Sequence, residues 1–251
     1  MKNARIHEIF TSIQGEGPWI GQRHIFVRFL GCDIRCRYCD TPAAVQREDE
    51  VANMKSCGVQ IAARSKKREQ TPNPVSPREL TAFCSRLIVP GPSRPVISLT
   101  GGEPLLQASF LEEWLPTVRS AFTIYLETNG IHPEAMERIR DLVDVVSVDF
   151  KLPSATGLRP FWEEHRAFLA ALRGKKLFVK VVVTTDTKVD EVLASAGLIA
   201  AFDPSTTLVI QPAGEPLAPD STDLIAFQDA ALGIIEDVRV IPQAHKMLKL
   251  P

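Results

Sequence analysis

The chain has 251 residues, 45% of them hydrophobic and 24% charged, with 29 lysines and arginines against 30 aspartates and glutamates. That size accommodates one α/β-barrel-sized domain or two small ones around a real core, and the even charge balance offers no basic footprint for a duplex nucleic acid. No apolar run approaches the roughly 18 residues of a membrane span, and five cysteines without a secretory signal point to a reducing, cytoplasmic setting rather than a disulfide framework.

Residues Glu8 to Gly17, Glu-Ile-Phe-Thr-Ser-Ile-Gln-Gly-Glu-Gly, set Gln14 and Glu16 among glycines and by themselves read as a flexible surface turn. The first strand is expected at His24–Leu30. It contains Arg28, a charge in an apolar run that is expensive to bury without a partner. Cys32, Cys36 and Cys39 follow at once, in Cys-Asp-Ile-Arg-Cys-Arg-Tyr-Cys. Thiolates so close in sequence can converge on one iron–sulfur cluster, and three ligands to a [4Fe–4S] cube leave one iron open, as catalytic metal sites do. A structural zinc would need a fourth ligand from Cys57, Cys84, His24 or His7. A Cys36–Cys39 redox pair would leave Cys32 without a role.

Residues 42–77 are polar, carry the basic run Arg64-Ser65-Lys66-Lys67-Arg68 and end in Thr-Pro-Asn-Pro-Val-Ser-Pro. They read as a solvated insertion before a helix that starts near Ser76 with a capping box and proline at its first position. Cys57 and Cys84 are spare thiols. A strand at Pro95–Thr100 runs into Gly101-Gly102-Glu103-Pro104, and a helix interrupted by Pro116 is expected from Leu105 to Ala121. Strands follow at Thr123–Glu127, Val143–Asp149, Leu177–Thr184 and Thr207–Gln211, with a short one at Val238–Val240. Helices follow at the His132-Pro133 boundary, Pro160–Arg173, Lys188–Ala201 and Ser221–Leu232. Six β-then-α units are too few for an eight-fold barrel. Polar residues recur at strand C-termini (Thr100 to Glu103, Glu127 to Asn129, Ser147 to Lys151, Gln211), the edge where parallel sheets build their sites.

The C-x-x-x-C-x-x-C triplet followed by Gly-Gly-Glu-Pro resembles the signature of the radical S-adenosylmethionine (SAM) enzymes. The ordered series Ile-Phe-Thr-Ser-Ile-Gln-Gly-Glu-Gly, Phe-Val-Arg-Phe-Leu-Gly-Cys, Tyr-Cys-Asp-Thr, Thr-Gly-Gly-Glu-Pro, Glu-Thr-Asn-Gly, Lys-Val-Val-Val and His-Lys-Met-Leu-Lys-Leu-Pro is similar to the 7-carboxy-7-deazaguanine synthase family, from about residue 6 to the last. The resemblance implies a single radical SAM domain over 1–251, a partial (β/α)6 barrel with an insertion after the cluster loop. It implies the conversion of 6-carboxy-5,6,7,8-tetrahydropterin to 7-carboxy-7-deazaguanine with loss of ammonia, through a 5′-deoxyadenosyl radical that takes hydrogen from C6. Cys32, Cys36 and Cys39 would ligate the cluster. Tyr38, Gly102, Glu103, Ser147, Lys151 and Gln211 would hold SAM, and Thr41 would meet magnesium.

On the substrate side the resemblance points to Ile13, Gln14, Gly15, Glu16, Arg28, Thr100, His245 and the terminal carboxylate of Pro251, with Arg28, Thr100 and His245 at the reacting centre. Arg28 suits a ligand carboxylate through a bidentate pair. The chain end is expected to be ordered. A reductant such as flavodoxin or ferredoxin and a homodimer are further implications. Two other readings share parts of the pattern: a glycyl-radical activating enzyme, which lacks the Gln-Gly-Glu-Gly loop, and a non-enzymatic zinc or iron–sulfur module.

Overall fold

Seven expected strands form within two residues of their expected ends and lie side by side in one sheet, with every neighbouring pair parallel. The computed structural model describes residues 2–46 and 48–250. In chain order its elements are β1 (Ile6–Ile13), β2 (Arg23–Phe29), α1 (Glu48–Asn53), β3 (Ser56–Gln60), β4 (Arg68–Pro72), α2 (Pro77–Arg86), β5 (Val96–Gly101), α3 (Ala108–Val118), β6 (Thr123–Thr128), α4 (Pro133–Ile139), β7 (Val145–Phe150), α5 (Pro153–Thr156), α6 (Trp162–Ala171), β8 (Lys176–Val183), α7 (Val189–Phe202), β9 (Leu208–Pro212), α8 (Ser221–Leu232), β10 (Val238–Val240) and α9 (Ala244–Met247). The sheet order is β10-β9-β8-β7-β6-β5-β2-β1-β3-β4. The run from β2 to β9 supplies the six β/α units of the expected partial barrel, with its two flanks left as open edges.

Two segments depart from expectation. The N-terminal stretch is not a surface turn throughout: Ile6–Ile13 is a strand, antiparallel to β2. A bulge between Ile6 and Glu8 breaks its two-residue period, so it lacks the alternation by which a strand is recognised in sequence. The 42–77 stretch is not merely solvated. Its hairpin, β3 with β4, extends the sheet beside β1. Asn73 fastens it there, accepting from Ile6 N at 3.1 Å and donating to Ile6 O at 2.6 Å. The capping box before α2 is present: Ser76 Oγ accepts from Glu79 N, and Glu79 Oε2 accepts from Ser76 N. The helix expected at Leu105–Ala121 opens as a 3-10 turn over Pro104–Gln107 and continues as α3, with Pro116 near its end.

Strand alternation then decides where the chemistry sits. One set of side chains packs outward against the helices in the main core, including Val27, Leu99, Leu126, Val148, Val181 and Ile210. The other set faces the concave side. Its lower layer is apolar: Val96, Tyr125, Val145, Phe178 and Val209, closed by Trp19 and Ile241. Two or four residues further along the same strands stand Thr100, Glu127, Ser147, Asp149, Lys180 and Gln211, and Arg28 stands beside Thr100 in the β2–β5 register. A polar ring thus rests on an apolar floor.

Replacing Asn73 by Ala removes both contacts to Ile6 and leaves a buried N–H and C=O without partners, a loss of about 2 kcal/mol. Urea denaturation should show that loss, and an unchanged midpoint would mean that the hairpin is anchored by other groups.

Candidate active site

The polar ring opens into a cavity of about 410 Å³. Its wall includes Ile13, Gln14, Gly15, Glu16, Arg28, Cys32, Cys36, Tyr38, Cys39, Thr41, Thr100, Gly102, Ser147, Lys151, Gln211 and His245. These are the expected site residues with two exceptions. Pro251, and with it the expectation of an ordered chain end, lies outside the described residues. Glu103 is fully buried and is not part of the wall.

The resemblance set Glu103 among the residues that would hold SAM. In the structure its carboxylate is engaged within the protein: Oε1 accepts from Leu105 N at 3.0 Å and from Thr128 Oγ1 at 2.9 Å, and Oε2 accepts from Asn129 N at 2.8 Å. It caps the 3-10 turn and ties β5 to the end of β6, and burial pushes its pKa up. The glycines before it also serve packing first. A Cβ on Gly102 would lie 1.9 Å from Gly31 O, and one on Gly101, whose φ is +121°, would lie 2.3 Å from Phe29 O. Backbone bonds from Gly102 N to Phe29 O (3.0 Å) and from Glu103 N to Gly31 O (2.8 Å) complete the contact. The Gly-Gly-Glu loop is therefore pressed onto the start of the cysteine loop.

On that loop Cys32, Cys36 and Cys39 are free and half-buried. Burial pushes the Cys32 thiol up to about 12 and raises Cys36 as well. Such thiols hold their protons at neutral pH until a bound metal replaces them. Cys57 and Cys84 are buried elsewhere, in the main hydrophobic core.

The opposite wall joins the loop after β1 to α9 and the residue before it. Ala244 N donates to Gly15 O at 2.9 Å. A Cβ on Gly15 would lie 2.3 Å from His245 Nδ1, so α9 rests directly on the glycine loop. Gln243 Nε2 donates to Glu16 Oε1 at 2.7 Å and to Asp40 Oδ2 at 2.9 Å. Thr41 donates to Asp40 and accepts from Arg28 Nη1 at 3.2 Å. Arg28 has the partner that burial demands: its Nε sits 2.9 Å from Glu8 Oε1. Nε and one N–H of Nη1 are thereby engaged, while the second Nη1 N–H and both N–H groups of Nη2 have no hydrogen-bond partner among the described residues.

Lys180 and Asp149, which are not among the expected site residues, hold the interior together with Glu16 and Lys151. Lys180 Nζ lies 2.5 Å from Glu16 Oε2 and 3.3 Å from Asp149 Oδ2, and Lys151 Nζ lies 2.9 Å from Asp149 Oδ2. Burial opposes every charge in this chain. Even so, Lys180 holds the Glu16 carboxyl below its usual range, and Lys151 and Lys180 do the same for Asp149. Glu127 goes the other way, pushed up by burial and by the Glu16 charge, while accepting from Gln14 Nε2 at 2.9 Å and Thr100 Oγ1 at 2.8 Å. A lysine in Val-Lys-Val-Val-Val carried the same signal as Arg28, a charge inside an apolar strand.

Behind the wall, His165 on α6 joins two of its edges. Its Nε2 accepts from Lys151 N at 3.1 Å, which makes Nδ1 the protonated nitrogen that donates to Gly130 O at 3.1 Å. The ring stacks on Phe150 with centroids 4.2 Å apart.

The sequence profile of the radical SAM superfamily matches residues 26–187. The 7-carboxy-7-deazaguanine synthase of Geobacter sulfurreducens is 34% identical over 98% of this chain and 97% of its own length. The protein of the same name from Methanothermobacter thermautotrophicus is 35% identical, over 100% of this chain and 99% of its own. Among solved structures, the crystal structure of QueE from Escherichia coli covers 96% of this chain and 94% of its own, with a TM-score of 0.56 and 22% identity. A structure of TYW1 with a lysine-pyruvate adduct bound gives 0.50 at 13% identity. These two structural likenesses concern the fold.

Burial lowers the His165 pKa from 6.5 to about 4. The unfolded chain therefore binds a proton in the window from pH 6.5 down to 4 that the folded chain refuses, and stability falls as pH falls through it. Integrated, the loss is roughly 3 kcal/mol. Denaturant midpoints between pH 7 and 4.5 should drop accordingly and drop less in His165→Gln; equal slopes for the two proteins would contradict the buried neutral imidazole.

Proposed function

The chain belongs to the 7-carboxy-7-deazaguanine synthases of the radical SAM superfamily, and from that premise we propose that its cavity holds a [4Fe–4S] cluster, SAM and a carboxylated pterin. The reaction is the ring contraction of 6-carboxy-5,6,7,8-tetrahydropterin to 7-carboxy-7-deazaguanine with release of ammonia. One observation carries this reading: the three cysteines, the loop after β5, the Gln14–Glu16 loop and residues of and after α9 line a single cavity.

The residues present fit these groups. Three thiols on one loop, with no fourth cysteine in the wall, are the donor set for a cluster with an open iron. Tyr38 OH, Asp149 Oδ1 and Gln211 Oε1 are buried polar atoms without hydrogen-bond partners among the described residues, and all three residues line the cavity. Unpaired buried polar atoms are costly, so they favour a polar ligand such as SAM beside Lys151. Cluster and SAM together supply reductive bond cleavage and hydrogen-atom abstraction, with electrons from a donor of the flavodoxin or ferredoxin kind.

The protein's part is placement. The backbone of Gly101 and Gly102, fixed against the cysteine loop, sets one side of the SAM position, and Lys151, held by His165 and Asp149, sets the other. Arg28 Nη2 takes the pterin carboxylate. Gln14, Thr100 and Glu127 form a hydrogen-bonded triad for the amide and amino edge of the pterin, with Glu127, its pKa raised, able to hold a proton there. His245 and α9 close the cavity over the Gly15 loop and exclude water. The Thr41 hydroxyl suits magnesium, a hard ion that takes oxygen ligands and keeps waters. The ligand atoms of Glu16, Asp40 and His245 lie within 4.8 Å of one another in the same corner.

Anaerobic turnover of carboxytetrahydropterin with SAM, reductant and magnesium tests the proposal. The account expects 7-carboxy-7-deazaguanine and ammonia in equal amounts, and a loss of SAM cleavage in Cys36→Ala of about 10³-fold or more, since a missing ligand removes the chemistry itself. SAM cleavage without product would point to a different substrate, and cleavage that survives Cys36→Ala would remove this cysteine from the metal site.

A further inference from the structure

The hairpin β3–β4 does more than extend the sheet, because it delivers Arg68 to the back of the cavity wall. Glu8 on β1 stands between two guanidinium groups. Its Oε1 meets Arg28 Nε at 2.9 Å, and its Oε2 is paired with Arg68 Nη1. Both arginines also lie over the Phe10 ring, with Cζ 5.6 Å and 5.2 Å from its centroid. Phe10 and Arg28 belong to the cavity wall and Arg68 does not. Two cations share one carboxylate.

That ratio has an electrostatic consequence. A lone Glu8–Arg28 pair would be neutral and would present a ligand carboxylate with a guanidinium already compensated. With Arg68 drawing on the same carboxylate, the group of three carries one net positive charge, with Arg68 itself exposed and Glu8 and Arg28 partly buried, where screening by water is weakened. A carboxylate arriving at Arg28 Nη2 makes the set electrically even, two against two. Phe10 beneath both arginines keeps the guanidinium planes in place through cation–π contact.

We propose that Arg68 is the positioning residue that gives the cavity its preference for carboxylated ligands, acting through Glu8 on Arg28. The inference rests on the pterin reading above and adds to it a residue from a segment outside the cavity. Arg68 touches no ligand. It sets the charge and orientation of the group that does.

The test is calorimetric binding of pterin-6-carboxylate, and of pterin without the carboxylate, to the anaerobically reconstituted enzyme with SAM. Arg68→Met should weaken binding of the carboxylate about tenfold, the scale of one charge-assisted contact, and leave pterin within about twofold, as expected for a contact not involved. Arg68→Lys keeps the charge and should restore most of the affinity for the carboxylate. An equal loss for both ligands would reduce Arg68 to a structural residue and overturn the inference, as would no loss for either. If the wild-type enzyme converts carboxytetrahydropterin while Arg68→Met shows either result, the function stands and the inference alone falls. A wild-type enzyme that binds neither pterin overturns the function and the inference together.

Discussion

The arrangement depends on how charge is balanced inside the partial barrel. Glu16, Asp149, Lys151 and Lys180 are drawn out of water by the strands that carry them, and each would be prohibitive alone. Breaking such a buried pair costs about 3–5 kcal/mol. Lys180 is where the chain of contacts crosses from one half of the cavity to the other: it holds Glu16 of the N-terminal loop and Asp149 of β7, whose second cation is Lys151. The Gln14–Glu16 loop, proposed for the substrate side, and the end of β7, proposed for the cofactor side, are thus located by a common amine. Because β7 and β8 pair Asp149 directly with Lys180, the sheet register enforces this geometry.

A second constraint acts through backbone rather than charge. The cysteine loop and the loop after β5 approach so closely that a methyl group at Gly102 would overlap a carbonyl of Gly31. Two backbone hydrogen bonds then fix the contact, and Glu103 extends it to β6 through Thr128 and Asn129. The same device appears across the cavity, where Gly15 lies against His245. Glycine at these positions allows segments distant in sequence to touch through backbone, so the wall is assembled with little freedom to drift. Preorganisation of this kind is what a reaction through a highly reactive species requires of its protein.

Much of this was legible in the chain before any coordinates. The strands β2 and β5 to β10 announce themselves as apolar runs bounded by turns, since buried parallel strands need no alternation. Cys32, Cys36 and Cys39 stand out because thiols so closely spaced can converge on one metal centre, and in the fold all three line the cavity. Other parts were hidden for physical reasons. The β1 bulge disrupts periodicity, and β3–β4 is an edge hairpin with a polar sequence, which reads as loop. The partners of Glu103 within the protein were hidden because a carboxylate next to glycines looks the same in sequence whether it faces a ligand or caps a turn. The importance of Lys180 and Glu8 is non-local: each matters because of a partner that only the fold brings near.

In the proposed site the cysteine loop would leave one metal position for SAM, with Gly101, Gly102 and Lys151 setting the ligand beside it. Electron–nuclear double resonance on the anaerobically reconstituted, reduced protein with SAM labelled by ¹⁵N at its amino group addresses this directly. The account predicts a resolved hyperfine coupling from the labelled nitrogen to the cluster spin, as for direct coordination. A spectrum unchanged by the label, with SAM shown to be bound, would contradict it.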